Sequence, residues 1–446
     1  MAELNLKDFT QGELKNLGGS LPHCLKAVDE LNSTFDSGEV EVISLLPFSA
    51  VNHELEPPIT YQVADHLNPD SAYFSTSRFV GYFSSGDITI NIKPRFGKDI
   101  FNHILKEATD IYIPESEARQ GFSNDPNSWK TLSALLWKSL LNKALANGSI
   151  PKSYVVEISN KKNFKGRLDI PRHIKANLTD SSRFYCKKRI LTPDCTINRT
   201  IVHLLNKFEG TEAGRIFNEF YPFRERLVSQ GVRAVDVTSR EIDSISYTRL
   251  TESYRPLMAL SKRLLENHNI EAEWAGCRGS SFFIDMAELW EAYLLKVLRK
   301  RLDGSLYDVF SPNINGGQWM LQDDMRQFRP DIIIRRNGRV VMVIDAKYKG
   351  YRTLGKYASV RQAVSREDFY QVTSYIHHYG ASSEPIAGVF TSPVSDDKMP
   401  LKAYTGNSAH KIGLINLNLT DCATVDELHN EEICFAERIS RVLENI

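Results

Sequence analysis

Two acids and a lysine stand at the ends of two apolar runs, Arg329-Pro330-Asp331-Ile332-Ile333-Ile334 and Val341-Met342-Val343-Ile344-Asp345-Ala346-Lys347. Between the runs lies Asn337-Gly338, a strong hairpin signal. Residues 328–334 and 340–345 therefore read as strands that fold back on each other. The return brings Asp331, near the start of one strand, alongside Asp345 at the end of the other. Carboxylates so placed make a hard oxygen site suited to Mg²⁺. Alternation sends Asp345 and Lys347 to one face and turns Ala346 away, which leaves the Ala346 backbone carbonyl able to serve as a further metal ligand.

That set suits hydrolysis of a phosphodiester. Phosphate oxygens repel an incoming hydroxide, and a bound divalent cation offsets their charge, orients the water and lowers its pKa. Lys347 can hold or activate the water and neutralise charge developing on the phosphate. Upstream, Glu291 shares a predicted helix face with Ala287, Leu294, Leu295 and Leu298. An acid in an apolar stripe needs a partner, because burying a lone charge is costly. Glu291 is therefore a candidate fourth catalytic residue and metal ligand. Downstream, Gln371 and Tyr375 share a helix face with Asp368 one turn earlier. They can hydrogen-bond DNA phosphate, buttress Lys347, or simply cap and pack. His377 and His378 are adjacent, hence on different helix faces, and read as solvated or core histidines.

The elements that must carry these residues can be read from periodicity. Strands are expected at 39–46 and 79–93, the latter split by the turn Ser84-Ser85-Gly86-Asp87. A helix is expected between Asp125-Pro126 and Gly148. Strands follow at 154–158 and 167–170 around the basic turn Asn160-Lys161-Lys162-Asn163, then helices at 198–208 and 257–265. The last part reads as helix 286–299, the hairpin, helix 367–379, strand 386–391 and helix 425–443. Three regions result: a β-rich 1–150 ending in a helix, a mixed and then helical 151–270, and an α/β catalytic region 271–446.

With 446 residues, 42% hydrophobic and 25% charged, the chain has material for more than one core. No apolar run approaches the ~18–20 residues that cross a bilayer, and the start lacks the pattern of a signal peptide, so a cytoplasmic protein with no membrane partner is expected. Cys24, Cys186, Cys195, Cys277, Cys422 and Cys434 are scattered without CxxC spacing, which speaks against disulfides or zinc. The 55 basic and 55 acidic residues balance. That excludes a histone-like coat but not a local DNA-binding groove. The clusters Lys161, Lys162, Lys165, Arg167 and Lys187, Lys188, Arg189 can meet DNA or a partner, or form a solvated face.

Several blocks in one order resemble McrC, the nuclease subunit of McrBC modification-dependent restriction systems. They are Gly81 with the strand ending Ile90-Asn91-Ile92-Lys93-Pro94-Arg95-Phe96-Gly97; Phe164-Lys165-Gly166-Arg167-Leu168; Asp194-Cys195-Thr196-Ile197-Asn198-Arg199; and Leu289-Trp290-Glu291-Ala292-Tyr293. Then come Pro330-Asp331, Asp345-Ala346-Lys347-Tyr348, and Asp368-Phe369-Tyr370-Gln371 with Tyr375. The resemblance implies a multidomain α/β chain whose C-terminal core is of the PD-(D/E)xK restriction-endonuclease type. It also implies a Mg²⁺-dependent endonuclease that docks through its N-terminal region on a hexameric AAA+ GTPase, McrB. That partner recognises and translocates methylated or otherwise modified double-stranded DNA, and this chain cuts it and stimulates GTP hydrolysis. No GxxxxGK[ST] motif occurs here, so GTP belongs to the partner and no nucleotide to this chain. The alternative is a stand-alone or differently partnered PD-(D/E)xK nuclease of phage defence or DNA repair.

Overall fold

The computed structural model describes residues 2–13, 21–37, 40–43, 56–63, 72–85, 88–109, 126–147, 149–266, 282–312, 318–319, 327–349, 365–380, 384–394, 402–404 and 407–446. Its compact units are residues 1–129 with 278–446, and residues 130–277. The sequence reading divided the chain at 150 and 270. The N- and C-terminal regions instead share one unit, because strands distant in sequence pair in one sheet.

The N-terminal stretch runs β1 (Ala2–Lys7), β2 (Gln11–Glu13), α1 (Leu21–Asp36), β3 (Glu41–Ile43), β4 (Ile59–Val63), β5 (Ala72–Thr76), β6 (Phe79–Ser85), β7 (Ile88–Lys93) and α2 (Lys98–Thr109). Alternation of Ile88, Ile90 and Ile92 puts these side chains in the core with Leu4, Leu6 and Phe83. β1 pairs parallel with β7, and β7 antiparallel with β6. The expected split of 79–93 into two strands is present. Of the expected strand 39–46, only 41–43 is strand, and most of the rest lies outside the described residues.

The second unit takes in most of α3 (Pro126–Asn147), the helix expected between Asp125 and Gly148, both of which lie outside the described residues. It contains β8 (Ser153–Lys161), β9 (Arg167–Leu168), α4 (Ile170–Asn177), β10 (Phe184–Thr192), α5 (Thr196–Glu209) and α6 (Arg255–Glu266). β8 and β9 do not pair with each other. Both flank β10, a strand the sequence reading missed because Lys187-Lys188-Arg189 interrupts any alternation. The helical core stacks Phe208 on Phe217 at 4.4 Å and anchors Trp137 Nε1 on Ser261 Oγ at 2.8 Å.

The chain then returns to the first unit. β11 (Phe282–Asp285) lies between β6 and β3, completing the order β1-β7-β6-β11-β3. Asp285 caps α7 (Met286–Arg301) by accepting from Ala287 N at 2.9 Å, and Arg299, Lys300 and Arg301 sit at its C-terminal end, where the helix dipole favours cations. Next come β12 (Tyr307–Phe310), β13 (Gln318–Trp319), β14 (Gln327–Phe328), β15 (Ile332–Arg336), β16 (Arg339–Ala346), α8 (Arg366–Tyr379), β17 (Ala387–Thr391), β18 (Lys402–Tyr404), β19 (Asn407–Leu414) and α9 (Val425–Glu444). The sheet order is β12-β15-β16-β17-β19-β18, mixed in direction, so the expected mixed α/β class is observed. α8 packs on β16 and β17, where a Cβ on Gly388 would meet Ile376 Cδ1 at 2.5 Å and Val372 Cγ1 at 2.6 Å. Only glycine lets that helix come so close. Among the described residues no helix is long and apolar enough to cross a membrane.

Candidate metal centre

The hairpin forms as its turn residues require. Asn337 and Gly338 both have positive φ, +53° and +78°, the backbone of a two-residue turn that matches strand twist. Ile332 then faces Ile344 across the ladder, and Asp331, one residue before β15, reaches the end of β16. There the Ala346 amide donates to Asp331 Oδ2 at 2.6 Å. β14 ends at Phe328, so 329–331 is not strand, and Asp331 sits on the approach to β15 rather than within it.

Lys347 leaves the end of β16 with its amide bonded to the Thr391 carbonyl at 2.8 Å. Its ammonium lies 3.1 Å from Asp345 Oδ2 and 3.6 Å from Asp368 Oδ1, and donates to Gln371 Oε1 at 3.2 Å. Gln371 Nε2 in turn donates to the Tyr375 hydroxyl at 2.8 Å, and that hydroxyl donates to the Arg329 carbonyl at 3.2 Å. Gln371 and Tyr375 therefore form a chain from Lys347 back to the segment that carries Asp331. Gln371 is thus bonded to Lys347, and Tyr375 is at the same time packed in the core beside Phe328. His378 stacks on Phe328 at 4.0 Å, away from that chain of bonds.

The acids repel one another. Burial, and then the Asp345 charge, push the Asp331 carboxyl up to about 7. Burial also raises Asp345, against the pull of Lys347. Glu291 is raised well above its usual range by burial first, and next by Asp331, with Asp345 contributing. α7, which carries Glu291, packs on β16, and the charges of Asp331 and Asp345 are felt at its carboxyl. Burial lowers the Lys347 pKa, but Asp345, Asp331 and Asp368 outweigh it, and the net shift is upward.

Converging carboxylates with one lysine among them are short of positive charge. A divalent cation fits that donor set: hard oxygen ligands with a charge deficit. Asp331, Asp345, Glu291 and the Ala346 carbonyl are the groups able to hold it.

Sequence reasoning missed Lys349 and gave Asp368 no role. Lys349 Nζ pairs with Asp368 Oδ2 at 2.6 Å, so this one acid holds both lysines. The signal was available, since Lys347 and Lys349 are two apart in an extended stretch and share a face. A second group with metal-like spacing, His103, His429 and Glu432, has ligand atoms within 4.8 Å of one another. There Tyr293 and Arg301 also donate to Glu432, each at 2.8 Å, so the carboxylate is already compensated and joins α2, α7 and α9 as a structural hub.

In the second unit, Tyr154, Val155, Val156, Ile158 and Leu191 are exposed along β8 and β10, beside Lys161, Lys187, Lys188 and Arg189. Lys187 is paired with Asp169 at 3.0 Å and Lys161 with Glu157 at 3.1 Å. Asp194 accepts from Arg199 Nε at 2.6 Å and Arg233 Nε at 2.8 Å, which holds its carboxyl well below the usual range.

Residues 74–386 match the family described as McrBC 5-methylcytosine restriction system component. No curated protein matches the chain. Among solved structures, it resembles a chain of the refined half-complex from the tetradecameric assembly of Thermococcus gammatolerans McrB AAA+ hexamers with bound McrC. Identity is 17%, coverage is 98% of this chain and 100% of that one, and the TM-score is 0.54. A chain of the Thermococcus gammatolerans McrBC complex matches at 18% identity over 68% of this chain and 88% of that one, with a TM-score of 0.37.

Proposed function

Because this chain belongs to the family of McrBC 5-methylcytosine restriction system components, we propose that it is the subunit that cuts DNA, a Mg²⁺-dependent endonuclease with a PD-(D/E)xK core. The observation that carries this reading is the hairpin end itself, where Asp331, on the approach to β15, accepts from the Ala346 amide and Asp345, near the end of β16, pairs with Lys347, while Glu291 on α7 is close enough to feel both acids. A bound Mg²⁺ would supply the charge that polarises a phosphate oxygen and makes water nucleophilic. The chain's own residues do the rest. Asp331, Asp345, Glu291 and the Ala346 carbonyl hold the cation. Lys347, surrounded by acceptors, stays an ammonium and serves the phosphate as a fixed positive charge rather than as a base. Gln371 and Tyr375 fix its direction, and Asp368 with Lys349 supports it from the other side.

The substrate is double-stranded DNA, methylated or otherwise modified, delivered by a hexameric AAA+ GTPase of the McrB kind. The fold supports that partner, since the similar chain comes from an assembly with McrB AAA+ hexamers. Apolar residues exposed along β8 and β10, interleaved with lysine and arginine, offer such a partner or DNA a surface that this chain does not itself cover. The test is to purify the chain with an McrB-type GTPase and compare methylated with unmethylated DNA, with GTP and Mg²⁺. Cleavage confined to methylated DNA and dependent on GTP is expected. Cleavage of both DNAs by the chain alone would refute the partnered reading.

A further inference from the structure

Arg95 stands where the N-terminal sheet meets the residue that follows the catalytic lysine. It lies two residues beyond β7, and its guanidinium donates to the backbone carbonyl of Tyr348. The same guanidinium lies 4.6 Å from the Tyr348 ring centroid, 4.9 Å from that of Phe9 and 4.7 Å from that of Phe96. The rings also meet each other, Phe9 and Phe96 approaching Tyr348 edge-on at 5.6 and 6.3 Å. Asp8, fully buried at the end of β1, accepts from the Arg95 amide at 2.6 Å and faces its guanidinium at 3.8 Å. Asp8 N donates to the Lys93 carbonyl at 3.1 Å, so both residues are tied to the paired ends of β1 and β7. Phe9 reaches the cluster through a left-handed backbone, φ +48°, uncommon for a residue with a bulky side chain. Such strain persists only where the surroundings enforce it.

Tyr348 is 2% exposed and directly follows Lys347. On one side, the Lys347 amide is fixed to Thr391 of β17; on the other, the Tyr348 carbonyl is fixed to Arg95, just past the end of β7. We propose that Arg95, held by Asp8 and Phe9, is a positioning residue for the Ala346–Lys347 segment. Through it, the placement of the metal-holding carbonyl and the catalytic ammonium depends on the N-terminal sheet. The inference rests on the nuclease reading above and adds a route by which whatever engages that sheet can set the cutting rate. A planar guanidinium is required, since it must lie against flat rings and donate in plane, which an ammonium cannot do.

Arg95→Lys in the full chain keeps the charge and loses the flat face. It is expected to weaken Mn²⁺ binding by calorimetry about tenfold, and to slow cleavage with the GTPase partner and GTP about a hundredfold. The unfolding midpoint is expected to fall while the variant stays folded at the assay temperature, because Asp8 keeps a cation but the rings lose their flat partner, and partner binding is expected to stay at the wild-type value. Phe9→Asn is the second variant, because Asn accepts the left-handed backbone and only the ring is lost; it should lower both readouts less. Wild-type Mn²⁺ affinity and cleavage in both variants would overturn the proposal, and so would losses that merely follow the folded fraction. A wild-type chain that neither binds Mn²⁺ nor cuts would bring down the nuclease reading and this one with it. Normal wild-type behaviour beside unaffected variants would bring down this one alone.

Discussion

Asp331 Oδ2 accepts the backbone amide of Ala346 at 2.6 Å, so the first acid of the hairpin is bonded to the residue between the second acid and the lysine. The bond locks the two strand ends in register and leaves Asp331 with an oxygen to spare for a cation. It also keeps a carboxylate among carboxylates, an arrangement that costs stability until positive charge arrives.

Asp331→Asn is therefore expected to stabilise the metal-free chain while ending cleavage. Its carboxyl is raised from 3.8 to about 7, so the folded state holds a proton that the unfolded chain releases. Between those values stability of the metal-free protein falls as pH rises. Asn keeps the acceptor for Ala346 and removes the charge. In chelator near neutral pH, the variant should unfold about 1–2 kcal/mol later than wild type, and the gap should close towards about pH 4. Thermal unfolding across pH measures it, and a less stable variant at neutral pH would contradict the account.

Gln371→Ala removes the acceptor that directs Lys347 and the link to Tyr375. Cleavage at saturating Mg²⁺ is expected to fall about tenfold to a hundredfold, with DNA affinity measured in Ca²⁺ unchanged. Were Gln371 instead a phosphate contact, DNA affinity would fall along with the rate.

Glu432 should behave in the opposite sense to Asp331. Burial raises its pKa, but hydrogen bonds from His103, Arg301, Tyr293 and His429 outweigh that and leave the carboxyl well below its ordinary 4.5. A lowered carboxylate pKa contributes stability that is complete above the unfolded value and is lost as pH falls towards the folded one. Glu432→Gln is expected to cost about 3 kcal/mol at neutral pH, narrowing below about pH 4.5. Denaturant unfolding at two pH values reads both, and an equal cost at each would argue against the hub.

The hairpin was legible because every signal agreed: a turn pair that accepts positive φ, branched apolar strands, and acids at their ends. α7, α8 and α9 were legible from periodicity alone, and the structure adds the Thr424–Glu427 capping box at the start of α9. β10 was not, because its basic triplet lies on a ribbon exposed on both sides, where alternation has no buried face to record. β12, β18 and β19 were missed too; the first two are short strands at the edges of the sheet. The division into units could not be read from linear composition, since it rests on the pairing of β11 with β6 and β3, about two hundred residues upstream. For the same reason, deleting residues 1–150 would remove partner strands of β11 and is not a clean test of docking. Glu291 could be proposed from its apolar stripe, but its approach to Asp331 needed the fold.

The central claim is that the acids at the hairpin end hold the cation that cuts DNA, and Asp345→Ala tests it most directly. Asp345 is 1% exposed and 3.1 Å from Lys347. With the partner GTPase, GTP, Mg²⁺ and methylated DNA, the variant is predicted to lose cleavage by at least about a thousandfold, while still binding the partner and stimulating GTP hydrolysis as wild type does. Cleavage by Asp345→Ala at the wild-type rate would contradict the account.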